Sequence, residues 1–102
     1  MNPLIREKHD ELVKLCRRFL VRQLELFGSA AVERFDPQTS DLDFLVDFEE
    51  LIAGEYFNAY FGLLEGLQEL FQRPVDLVVA AGVRNPYFLA EVGKTRTLLY
   101  AA

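Results

Sequence analysis

The chain has 102 residues, 51% of them hydrophobic and 26% charged, a composition that suits one small domain over 1–102 and excludes disordered, collagen-like and repeat architectures. Its formal net charge of −5 opposes the phosphate-backbone attraction that nonspecific nucleic-acid binding needs, so long DNA or RNA is not an expected partner. The one cysteine, Cys16, excludes an internal disulfide, no leader-like segment opens the chain and no apolar run approaches the roughly 20 residues of a membrane helix, so the expectation is a cytoplasmic protein away from any membrane.

Asn2 and Pro3 have the chemistry of a helix start, an N-cap followed by a first-turn proline. Ile5, Leu12, Cys16 and Phe19 then recur at helical spacing, predicting one amphipathic helix to about Arg18. His9 falls on its apolar side and reads as a partly buried structural histidine, because no second ligand stands at helical spacing from it. Arg17, Arg18 and Arg22 read as cations complementing the helix C-terminus. Residues 23–27 alternate and predict a strand ending at Gly28, and the alanine-rich stretch to Arg34 predicts a short helix. A loop about Pro37 leads to a second strand over Leu42–Phe48. A long third helix to about Phe71 would bury Phe57, Tyr60, Phe61, Leu64, Leu67 and Phe71, with Tyr56, Leu63 and Leu70 off the stripe and Gly62 and Gly66 opening a notch for a close neighbour. So many apolar side chains suit either deep burial or a face left for a protein partner. A third strand runs from Val75 to Ala80, a short helix from Pro86 to about Val92, and Thr97–Tyr100 forms a last strand or a packed tail. Tyr87, Phe88 and Tyr100 read as packing residues, with Tyr87 also a candidate to flank a nucleotide base.

The chemistry-bearing residues cluster around the second strand. Asp41 and Asp43 lie two apart, so they share a face while Leu42, Phe44 and Val46 take the other. Asp76 is the lone polar residue in its apolar strand, and it joins them if the two strands are neighbours. Like charges so placed repel and raise one another's pKa, which a hard divalent cation such as Mg²⁺ relieves, two ions being the usual set for phosphoryl or nucleotidyl transfer. Gly28-Ser29 supplies the complementary part: a glycine that lets a phosphate approach the main chain, a hydroxyl and the amides of a following helix. Asp47 shares the face but lies about 13 Å beyond Asp43 at roughly 3.3 Å per residue, too far to share a metal. Glu33, Asp36, Glu49 and Glu50 read as solvated loop charges.

The stretch FGSAAVERFDPQTSDLDFLV closely resembles the Gly-Ser…Asp-x-Asp signature of the polymerase β-like nucleotidyltransferases, and its brevity together with RPVDLVVAAGVRNPYF resembles the minimal nucleotidyltransferases. The resemblance covers about Leu24 to Tyr100. It implies an α/β (α+β) nucleotidyltransferase fold, a small mixed sheet of three to four strands packed against helices in the order α-β-α-β-α-β-α. By the same resemblance Gly28, Ser29 and Ser40 bind the nucleotide, Asp41 and Asp43 hold both Mg²⁺ ions, and Asp76 holds the catalytic ion and helps deprotonate the acceptor. Members commonly carry an arginine and a glycine shortly after Gly-Ser, where this chain has Val32 and Glu33, with Arg34 the nearest substitute. Similar proteins are often antitoxins paired with a HEPN-family ribonuclease toxin, which implies transfer of AMP from ATP to a tyrosine hydroxyl of that toxin. Two other readings remain: a non-catalytic antitoxin that masks its partner sterically, and a small-molecule nucleotidyltransferase whose missing acceptor lobe a homodimer would have to supply.

Overall fold

A computed structural model describes residues 2–31, 41–82 and 85–102, apart from the side chains of Ser29, Ala30 and Glu91. The first helix starts as expected, with the Asn2 carboxamide accepting from the Leu4 N–H at 2.9 Å and Pro3 in the first turn. It is not one helix to Arg18. Lys8 leaves helical geometry (φ −104°, ψ 13°) and divides it into α1, Pro3–Glu7, and α2, His9–Arg18. The break leaves both Ile5 and Leu12 fully buried, which the spacing alone did not show.

β1, Val21–Phe27, ends in a 3-10 turn over Gly28–Ala31, and β2 is Leu42–Phe48. α3, Ala53–Phe71, crosses over to β3, Val75–Val79, and a 3-10 turn at Ala80–Gly82 precedes α4, Pro86–Thr95, and β4, Thr97–Ala101. The last segment is thus a strand and completes a four-stranded mixed sheet in the order β3-β2-β1-β4. β1 runs antiparallel to both β2 and β4, while β2 and β3 are parallel, as the intervening helix requires. The expected fold class holds. The expected short helix after Gly28 is described only as the 3-10 turn, and residues 32–34 lie outside the described residues.

One face of the sheet carries the main core. Leu24, Leu26, Leu42, Phe44, Val46 and Leu77 meet Ile5, Leu12 and Cys16 from the first helices and Leu63, Leu67 and Phe71 from α3. α3 is rotated from the stripe expected of it. Its buried row is Ala59, Leu63, Leu67 and Phe71, spaced by one turn, whereas Phe57 and Phe61 are 62% and 44% exposed. The glycines explain the rotation. A Cβ on Gly62 would overlap the Phe19 ring, and one on Gly66 would come within 2.7 Å of Leu15, so these two side chains of the first helical layer pack directly on the α3 backbone. Leu67 and Phe71 are buried and Tyr60 and Leu64 pack against the core as expected, whereas Phe57 and Phe61 turn outward and Leu63 inward because the closest approach is made where α3 has no side chain. On the other face of the sheet, α4 lays Val92 and Phe88 against Phe27 and Leu45. No described helix is long and apolar enough to cross a membrane.

Candidate active site

Three chain segments meet on the α4 side of the sheet: the end of β1, the start of β2 and the start of β3. Phe27 is the register partner of Asp43 across the antiparallel pair, and Asp43 is the register partner of Asp76 across the parallel pair. Leu42 and Phe44 point into the main core, so Asp43 between them points to the opposite face, and Asp76 does so between Val75 and Leu77. The parallel pairing therefore brings Asp76 beside Asp43, although α3 separates them in the chain. Asp41, just before β2, is exposed, as is Asp76, while Asp43 is half-buried.

The surroundings push the Asp43 carboxyl above its ordinary range. Burial is the largest cause, followed by repulsion from Asp76 and then from Asp41. Asp76 and Asp41 are thus close enough to act on Asp43. Among the described residues, no three His, Cys, Asp or Glu side chains already stand as a ready-made metal site. Asp41, Asp43 and Asp76 form an open cradle. A set of hard oxygen donors that repel one another suits a divalent cation shared with substrate phosphates better than one enclosed by protein.

Gly28 sits under this cradle at φ +74°, in the left-handed region, and a Cβ there would overlap the Asp43 carboxylate. Both its conformation and its lack of a side chain are therefore required by the packing. Ser29 lies in the 3-10 turn that follows, its side chain undescribed; Ser40, Val32, Glu33, Arg34 and Asp36 lie outside the described residues.

Four neighbours of the candidate site were missed from sequence. The Gly28 N–H donates to Thr95 Oγ1 at 3.1 Å, reaching the last residue of α4. The next residue, Arg96, makes a two-pronged bond to Glu25, with Nε and Nη2 each 2.6 Å from a carboxylate oxygen. Gln23 adds a bond to Glu25 Oε1 at 2.9 Å. Glu25 is only 7% exposed, and the Arg96 guanidinium holds its carboxyl below the usual range despite that burial. An acid between Leu24 and Leu26 in a half-buried strand was the available signal. Nothing local marks Thr95, which lies 67 residues from its partner.

The remaining polar residues behave more simply. His9 Nε2 lies 3.0 Å from the Leu99 carbonyl and pins α2 to β4, a structural role as expected. Asp47 shares the face with Asp43 but lies 3.6 Å from Arg22, which also approaches Glu49 at 3.7 Å. Phe88 stacks edge-on against Phe27 at 5.7 Å and Tyr100 packs on the main core, but Tyr87 is 83% exposed and is not a packing residue. Asn85 caps α4 by accepting from the Tyr87 and Phe88 N–H groups.

Residues 10–99 match the family model described as the nucleotidyltransferase domain. The chain belongs to that family. As a nucleotidyltransferase it is 34% identical, over 81% of its own length and 79% of the relative's, to a Methanocaldococcus jannaschii protein provisionally named protein adenylyltransferase MJ0128. It superposes with a TM-score of 0.73 and 29% identity on a solved structure provisionally described as a minimal nucleotidyltransferase, covering 91% of this chain and 90% of that one. The same fold occurs in a solved complex of tri-AMPylated Shewanella oneidensis HEPN toxin with MNT antitoxin, at a TM-score of 0.65 and 19% identity over 95% of this chain and 72% of that one. The family and the fold expected from the Gly-Ser and Asp-x-Asp residues are those found.

Proposed function

We propose that this nucleotidyltransferase moves AMP from ATP to a hydroxyl of a partner protein, a tyrosine of a HEPN-type toxin, and so acts as an antitoxin in the cytoplasm. The observation that carries this reading is the pairing of Asp43 with Asp76 across β2 and β3, directly above the glycine turn. Asp41, Asp43 and Asp76 would hold two Mg²⁺ ions, with Gly28, Ser29 and Ser40 against the nucleotide. Bound there, Mg²⁺ would neutralise the carboxylates and the phosphate charge that builds up during transfer. The acceptor oxygen forms a bond to the α-phosphorus as the bond to the β-phosphate oxygen breaks; pyrophosphate leaves, and Asp76 takes the acceptor's proton. The relative named as a protein adenylyltransferase and the complex containing an AMPylated toxin both favour this chemistry over other nucleotidyl transfers.

A protein acceptor is also favoured by the outer face of α3. Phe57 and Phe61 lie exposed with ring centroids 4.8 Å apart, and Ile52, just before the helix, is 72% exposed. Glu55, Glu65 and Glu69 are the only charged residues of α3, so this apolar face suits a partner with a basic rim. The same face would also serve an antitoxin that only masks its partner. Replacing Asp41 and Asp43 together by Asn separates the two: neutralisation of the toxin should be lost if transfer is responsible and retained if masking is.

A further inference from the structure

From the bonds that join β1 to the end of α4, we infer that Thr95 is a positioning residue for nucleotide binding. The inference rests on the nucleotide-binding role proposed above for the Gly28 turn. Gly28 has to hold two conditions at once: a left-handed backbone, and a place so close beneath Asp43 that no side chain fits. In the 3-10 turn that it opens, its own N–H donates to Thr95 Oγ1 at 3.1 Å. With that donor committed, Gly28 contributes the shape of the turn, and the phosphates are left to the amides and hydroxyls beyond it. Thr95 thus decides where the turn sits relative to Asp43.

Thr95 is itself held. Arg96 follows it and is bound in two places to Glu25, three residues before Gly28, with Gln23 supporting the same carboxylate. Two neighbouring residues at the α4–β4 junction therefore grip β1 on both sides of its last residues. The ion pair fixes the junction, and the threonine hydroxyl transmits that placement to the glycine peptide. A two-point attachment of this kind restrains rotation as well as distance, which a single hydrogen bond does not.

The test is ATP binding to the full chain with Mg²⁺ present, measured by calorimetric titration for the native protein and for Thr95→Val, Thr95→Ala and Thr95→Ser, with thermal melts alongside. Thr95→Val keeps the side-chain volume and removes the acceptor. It should weaken ATP binding roughly two- to tenfold, the usual worth of one neutral hydrogen bond, while melting close to the native temperature. Thr95→Ser should restore native affinity, and in transfer assays Thr95→Val should raise the KM for ATP without changing that for the acceptor. Thr95→Ala should repeat the loss and serves as the measurement if the valine variant does not fold. Native affinity in Thr95→Val or Thr95→Ala would overturn the role, as would an equal loss in Thr95→Ser, which would make the site one of shape. If the native chain itself binds no ATP, the nucleotide reading of the Gly28 turn falls and takes this inference with it.

Discussion

Asp43 is the residue on which the proposed activity and the stability of the fold would pull in opposite directions. Its carboxyl titrates above the ordinary value of 3.8, because burial and the charges of Asp76 and Asp41 disfavour ionisation in the folded state. The folded protein therefore holds that proton to higher pH than the unfolded chain does, and the metal-free protein loses stability as pH rises from 3.8 through the raised value. Asp43→Asn should raise the neutral-pH melting temperature of the metal-free protein and flatten this pH dependence, while lowering AMP transfer on the order of 100-fold or more. A melt no higher than native at pH 7 would remove the repulsion from the account. Glu25 has the opposite sign. Its bond to Arg96 lowers its titration below the ordinary 4.5, so its contribution is fully present above that value and is lost as pH falls through the lowered one. Glu25→Gln should cost roughly 1–2 kcal/mol at neutral pH, discounted because the Arg96 side chain is 47% exposed, and denaturant unfolding checks it. Asp43 and Asp76 could be picked out in the sequence because each interrupts an apolar strand, and Asp41 because it stands two residues before Asp43. Thr95 and Arg96 could not, since their roles depend on partners 67 and 71 residues away.

Strands and helices were legible to different degrees, and the difference is physical. β2 sets Asp43 and Asp47 on one face against Leu42, Phe44 and Val46 on the other, and β3 has Asp76 as its one acid, so the face of each side chain follows from a period of two. α3 offers apolar residues almost all round, so its burial was decided by the neighbour it meets, and that neighbour enters at Gly62 and Gly66. The same glycines give a contrast that can be measured. Gly62→Ala should destabilise the protein by about 1–2 kcal/mol, overlap with the Phe19 ring outweighing the gain in helix propensity. Gly93→Ala, in α4 with nothing within 4 Å of the added methyl, should stabilise it by up to about 1 kcal/mol. Equal effects from the two substitutions would contradict the packing described for α3. On the outer face of the same helix, Phe57→Glu with Phe61→Glu should leave the melt and ATP binding near native while abolishing association with a partner protein, read by co-purification of the pair. Retained association would remove that face as the docking surface.

Across the whole molecule, the candidate site is assembled because a parallel crossover and an antiparallel hairpin share β2. β1 brings the glycine turn to its first residues from one side and β3 brings Asp76 from the other, with α3 filling the main core between them. So small a chain devotes much of one sheet face to this cradle and to the α4 clamp beside it, and leaves an aromatic face on α3 uncovered. A partner that brings its own acceptor group would complete both. The most direct measurement is the intact mass of the toxin-like partner after incubation with this protein, ATP and Mg²⁺, followed by localisation of any added group. The account predicts one or more adenylyl groups on a tyrosine hydroxyl of the partner, absent when Asp41 and Asp43 are replaced by Asn. An unchanged partner mass, under conditions where the native chain binds both ATP and the partner, would contradict it.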